Sequence, residues 1–178
     1  MKILIFAQRA FPALCLIILC SCATPKCREW EIQENLTQVT SFNAGRLILT
    51  PDTNYSHLEL ELVRNNSGLR FYLNLLLMEA LPWREDPTRT KAEILSENGE
   101  PELIYPYLLE GGQRLMFPGD AADALIQRLL EGNSFIIKIG RNQITVIPDN
   151  FSKAYEKLLS LPISEIVEKD CENLSFAP

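Results

Sequence analysis

Apolar and polar residues alternate in HLELELV (57–63), so that Leu58, Leu60 and Leu62 fall on one side of an extended chain and Glu59 and Glu61 on the other. That period of two predicts a half-buried β-strand. NNSG (65–68) then supplies a hairpin turn, and LRFYLNLLLM (69–78) a partner strand that becomes continuously apolar. Upstream, LTQVT (36–40) and RLILT (46–50) read as strands, and TPDTNYS (50–56) as a loop. WREDPTRTK (83–91) is a polar loop broken by proline. Between residues 92 and 117 two turn signals, ENGE and EGGQ, are each flanked by apolar runs.

The period then changes. Ala122, Leu125, Ile126, Leu129 and Leu130 recur at helical spacing and form one apolar stripe. Asp120 is placed to cap that helix, Asp123 to sit near its positive end, and Gly132 to stop it. SFIIKI, GRNQ and ITVI (134–147) make a hairpin. PDNFSKAYEKLLSL (148–161) gives a second helix with Phe151, Tyr155, Leu158 and Leu159 on one face. The tail, PISEIVEKDCENLSFAP, is ambiguous, and no internal repeat occurs. The expected fold is α+β: one compact domain over residues 30–178, an antiparallel sheet packed by two or three helices. A length of 178 residues fits one domain, and a hydrophobic content of 47% with 22% charged residues belongs to a globular chain. Such a chain buries roughly two-thirds of its unfolded surface and needs no metal or cofactor to hold a core.

The first 21 residues have a different character. MKILIFAQR is a basic start, and AFPALCLIIL (10–19) an apolar run of ten, half of what a bilayer-spanning helix needs. The combination fits the leader of a secreted protein. Four of the five cysteines cluster in CLIILCSCATPKC (15–27), yet Cys15 lies inside the apolar run and no Cys-x-x-Cys spacing occurs, which argues against a metal or redox site. LCSC (19–22) resembles a bacterial lipobox, with an aliphatic residue at −3, a small residue at −1 and then cysteine. The resemblance implies that the leader 1–21 is removed, that the Cys22 thiol carries a diacylglyceryl group, and that its freed amine is acylated, as by palmitate. Cys20 fits worse, because bulky Leu19 would occupy its −1 position. Ordinary cleavage after SCA, at Ala23, remains an alternative, as does an uncleaved anchor.

A lipobox implies a lipoprotein of the bacterial cell envelope, facing the periplasm or the cell surface. Ala23, rather than an aspartate, leans the placement toward the outer membrane. Two or more acyl chains give stable anchoring. Residues 22–29 then form the lipidated cysteine and a short tether. ATPKCRE, the seven residues before Trp30, holds the folded body within about 25 Å of the bilayer. In the C-terminal half, DAADALIQRLLEGNSFIIKIGRNQITVIPDNFSKAYEKL is similar in order to the end of invasion-associated locus B type periplasmic proteins. There a small-residue helix, a glycine, a two-strand hairpin and a phenylalanine-led helix close a mostly antiparallel sheet. That resemblance implies an envelope α+β domain and carries over no functional residue.

Charge narrows the partners. The formal net charge is −6; beyond residue 21 the chain holds 15 basic and 23 acidic residues, or −8. Such a surface repels phosphate backbones, which disfavours nucleic acid. His57 is the only histidine, with Asp52, Ser56 and Glu59 near it in sequence. Neighbouring strand residues point to opposite faces, however, so Ser56 and His57 would not meet, and no catalytic residue is assigned. One histidine and scattered carboxylates give no metal-ligand spacing. EGGQ lacks the basic residue and helix start of a phosphate loop and reads as a turn. Asn-x-Ser/Thr sequons at Asn35, Asn54, Asn65, Asn150 and Asn173 reflect composition in a bacterial chain. Trp83 and Arg84 in the loop 81–87 are candidate partner contacts, since loops carry function and these types dominate interface hot spots. Once Cys22 is acylated, Cys27 and Cys171 are an even pair in an oxidising compartment and candidates for a disulfide. The leading expectation is a non-enzymatic envelope protein that binds a protein or small molecule near the membrane. An envelope hydrolase and a structural or assembly component are the alternatives.

Overall fold

The computed structural model describes residues 29–51, 57–96, 99, 101–109 and 111–164. The leader, Cys22, Cys27, Asp52, Asn54, Ser56, Cys171 and Asn173 lie outside the described residues. Within them the chain is one α+β unit of ten strands and two α-helices: β1 (Glu31–Asn35), β2 (Ala44–Leu49), β3 (Leu58–Asn65), β4 (Gly68–Leu75), β5 (Ala92–Ser96), β6 (Glu102–Ile104), β7 (Tyr107–Leu108), β8 (Arg114–Met116), α1 (Gly119–Leu130), β9 (Phe135–Ile139), β10 (Asn142–Val146) and α2 (Phe151–Ser160). The strands divide between two antiparallel sheets rather than filling one. The larger has the order β1-β2-β3-β4-β8-β7 and the smaller β10-β9-β5-β6.

The alternation in β3 sets the inside of the larger sheet. Leu58, Leu60 and Leu62 are fully buried, and their partners Leu75, Leu73 and Phe71 on β4 are buried opposite them. The smaller sheet contributes Ile94, Ile137 and Ile144, which pair across three strands. Leu125, Leu129, Phe151 and Leu158 from the helices join the same continuous core. Helix α2 lies against β1 and β2, α1 against β4 and α2, and β10 against β3. Each buried Leu, Ile or Phe stabilises by about 1.5–3 kcal/mol over the exposed side chain. The approach of α2 to β2 is close at Gly45, where a β-carbon would meet Leu158 Cδ1 at 2.7 Å as well as the Leu161 side chain.

Several local expectations shift. LTQVT is not a strand: β1 lies upstream at Glu31–Asn35, and Thr40–Phe42 is a 3-10 turn. The Asn43 amide oxygen accepts from the Thr37 N–H at 2.6 Å, a local bond that competes with extension of the ladder. β4 stops at Leu75 because β3 begins at its partner Leu58; Leu76 and Leu77 then turn outward. Pro118, not Asp120, precedes α1, and its carbonyl accepts from the Ala122 N–H; Asp120 sits in the first turn. Leu130 and Leu159, at the ends of their stripes, are exposed.

Trp30 fastens the start of the domain to α2. Its backbone N–H donates to Asn150 Oδ1 at 2.9 Å, its carbonyl accepts from Asn150 Nδ2 at 3.1 Å, and its indole N–H donates to the Ile147 carbonyl at 2.9 Å. The ring is 2% exposed and meets Phe151 edge-on at 5.0 Å. Asn150 reaches both Trp30 groups from a left-handed conformation, φ +54°. Asn tolerates this better than most residues.

Candidate functional site

The loop singled out for Trp83 and Arg84 follows the outward turn after β4. Its anchors are bonds to backbone carbonyls: the Ala80 N–H donates to Gly112 O, the Trp83 N–H to Arg89 O, and the Thr90 hydroxyl to Leu81 O. Trp83 packs its ring on Tyr105, with centroids 4.3 Å apart, and still borders open space. Asp86 stabilises the far side of the loop. Its carboxylate accepts from the Thr88 hydroxyl and N–H and pairs with Arg89 at 3.3 Å. Those Thr88 bonds, with Arg89 adding, hold the Asp86 carboxyl below the usual carboxylate range.

This loop forms one wall of a groove of about 600 Å³, and the β9–β10 turn forms the other. Met78, Leu81, Trp83 and Ile139 give it apolar surface; Leu81 is 84% exposed, far from the buried state its composition favours. Arg84, Lys91, Lys138 and Arg141 stand around it, against two acids, Glu79 and Glu93. Glu93 is occupied, with Lys91 at 3.5 Å and Lys138 at 3.8 Å. Arg84 and Arg141 have no ion-pair or hydrogen-bond partner among the described residues. The result is a local excess of positive charge, over apolar surface, on a chain of net charge −6. Sequence reasoning found Trp83 and Arg84 but missed Lys91, Lys138 and Arg141. GRNQ was legible as a turn; its approach to residues 78–84 depends on the long-range pairing of β9 with β5.

A second polar cluster lies on the outer face of the larger sheet. Glu61 is 4% exposed although β3 points it away from the core. It pairs with Arg46 at 3.3 Å and Arg114 at 2.7 Å and accepts from Asn74 Nδ2 at 3.2 Å. Arg46 also donates to Gln33, and the Arg114 guanidinium lies 4.0 Å over the Tyr72 ring. This is a cross-strand ladder that neutralises its one buried carboxylate. Glu59 is likewise held by Asn74 at 3.0 Å. His57 is half-buried before β3, where its carbonyl accepts from the Leu76 N–H. The carboxylates nearest it along β3 are thus engaged in structural bonds.

Among the described residues no group of three or more His, Cys, Asp or Glu side chains could hold a metal ion. Among those same residues no helix is long and apolar enough to cross a membrane. No protein family, curated protein or solved structure matches this chain.

Proposed function

We propose that this protein is a lipid-anchored component of a bacterial envelope that binds its target without transforming it, through the groove beneath Trp83. The LCSC sequence at Cys22 supports the anchor. The groove carries the binding reading: its volume lies in the range of small-molecule sites, and it sets Arg84 and Arg141, without a partner among the described residues, beside exposed Leu81. An occupant with an anionic group next to an apolar stretch satisfies both features. The arginines supply charge-assisted hydrogen bonds, and Leu81, Met78 and Trp83 are removed from water.

Trp83 reports on its own site, because Trp30 is buried and gives a steady background. The full-length protein in phosphatidylcholine nanodiscs is titrated with octanoate, neutral octyl glucoside and inorganic phosphate. Octanoate is expected to shift the Trp83 emission at a concentration about tenfold below either control, as a charged hydrogen bond worth about 1.5–3 kcal/mol implies. The double variant Arg84→Glu, Arg141→Glu is expected to lose that preference. Equal responses to the three probes, or unchanged octanoate affinity in the variant, would rule out the groove as an anion-selective site.

A further inference from the structure

Three exposed apolar side chains share the short connection between β1 and β2, at the end of the larger sheet away from the groove. Leu36 is 46% exposed, Val39 53% and Phe42 71%. Around them the chain carries no charge. The eleven residues from Asn35 to Gly45 are the longest run without Asp, Glu, Lys or Arg after Trp30, in a sequence that is 22% charged. Their polar groups bond to one another and to the segment after α2. The Thr37 hydroxyl donates to Val39 O at 2.7 Å, the Phe42 N–H to Val39 O at 3.0 Å and the Asn43 N–H to Thr40 O at 3.1 Å. Asn43, itself 3% exposed, accepts from Thr37 and donates to Pro162 O at 2.8 Å; Ser164 donates to the Thr40 hydroxyl at 2.9 Å. A braced, uncharged connection with outward Leu, Val and Phe has the chemistry of a segment that seats its side chains in the interfacial layer of a bilayer, where its remaining backbone groups still meet water and headgroups.

We propose that residues 36–42 are a membrane-contact loop that seats in the interfacial layer of the bilayer holding the Cys22 lipid; the occupant is a lipid surface, and the proposal rests on the lipid-anchor reading. Chain length permits it. The seven residues between Cys22 and Trp30 reach about 25 Å, and β1 returns from Trp30 to Leu36 over about 20 Å. The tether can therefore climb beside the body while β1 carries the loop back to the membrane. Charge favours an apolar contact over an electrostatic one, because a body of net −8 beyond the leader is repelled by anionic headgroups and a neutral loop is not. Seating the loop places the groove, which follows the opposite end of β4, roughly 25 Å from the bilayer at the length of an eight-residue strand.

The test is Phe42→Trp in the full-length protein, reconstituted in phosphatidylcholine vesicles with or without bromine on the acyl chains. Val39→Trp is the second reporter should the first disturb folding. The added emission, over the wild-type background of Trp30 and Trp83, is expected to fall about twofold in brominated vesicles and to resist aqueous iodide. The same result is expected at about 0.1 and about 1 M salt, since apolar seating is not screened. Quenching by iodide alone, in a protein whose mass shows the diacylglyceryl group on Cys22, overturns the loop and leaves the anchor standing. Shielding from both quenchers assigns the loop to a protein partner or to residues 165–178, and also overturns it. Brominated-lipid quenching in a chain without lipid on Cys22 upholds the loop and removes the anchor. A chain that is unlipidated and stays out of the vesicles removes both.

Discussion

Asn150 shows how much one side chain can organise. It closes two bonds with the Trp30 backbone from a left-handed conformation, in the residue before α2. Asn150→Ala removes both bonds and adds left-handed strain, so a loss of about 1–3 kcal/mol is expected in denaturant unfolding. Asn150→Gly relieves the strain but not the missing bonds, and should fall between Ala and the wild type. Equal stability of all three proteins would mean that Trp30 is held by packing alone. Asp86 gives a prediction in pH. Its carboxyl is lowered in the folded chain by the Thr88 bonds, so its contribution is full above the ordinary carboxylate value of 3.8 and is lost as pH falls through the lower folded value. The Trp83 emission should therefore hold steady from neutral pH to about 4 and change only in stronger acid. Asp86→Asn should remove that step; a step of equal size in both proteins would assign it to other carboxylates.

The elements are stitched together at their ends. Arg64, late in β3, donates from Nη1 to the carbonyls of Leu158, Leu159 and Leu161 at 3.1, 2.7 and 3.1 Å. A cation there meets the negative end of α2 and satisfies carbonyls the helix cannot. Arg64→Ala should cost about 1–3 kcal/mol and should speed amide exchange in the last turn of α2 before it does so in α1. Uniform exchange in both helices would deny the cap. Local periods made much of this framework legible. HLELELV became β3 with its three leucines buried, the 122–129 stripe became the core face of α1, and GRNQ turned β9 into β10. What escaped depended on distant partners. LTQVT carries enough β-branched residues for a strand, but Ala44 pairs with Asn35 and ends the ladder there. The apolar run Leu75–Met78 resembled a buried strand, yet among the described residues its pairing with the β3 side ends at the Leu76 N–H to His57 carbonyl bond, and Leu76 and Leu77 are exposed. The division into two sheets, and with it the groove, follows from β5 choosing β6 and β9 as neighbours. Nothing local in AEILS specifies that choice.

At the scale of the whole molecule the two proposed surfaces lie at opposite ends of the larger sheet. The uncharged loop joins β1 to β2 where Gly45 pairs with Arg64, and the groove begins past Leu75, the partner of Leu58. Under the two proposals together, a body anchored at Cys22 and seated on that loop would hold the groove away from its own bilayer. The same geometry bears on Cys27 and Cys171, both outside the described residues. Three residue steps lead from Cys27 to Trp30, and seven lead from Ser164 to Cys171, a combined reach of roughly 35 Å. Trp30 lies at one end of β1, whereas Ser164 bonds to Thr40 beyond its other end, roughly 20–25 Å away. The two segments together exceed that gap, so a bridge strains neither the sheet nor α2. It would close a loop of roughly 145 residues, for which chain entropy sets an upper figure of about 5 kcal/mol. Protein isolated from its native cells under thiol-blocking conditions should yield a Cys27–Cys171 linked peptide pair by mass spectrometry. Reduction, or Cys171→Ser, should lower the midpoint of thermal unfolding while leaving the octanoate response of Trp83 unchanged, because the Trp83 loop is held by its own bonds to Arg89, Gly112 and Thr90. Two blocked thiols on a monomer, or a disulfide-linked dimer on a non-reducing gel, would refute the intramolecular bridge.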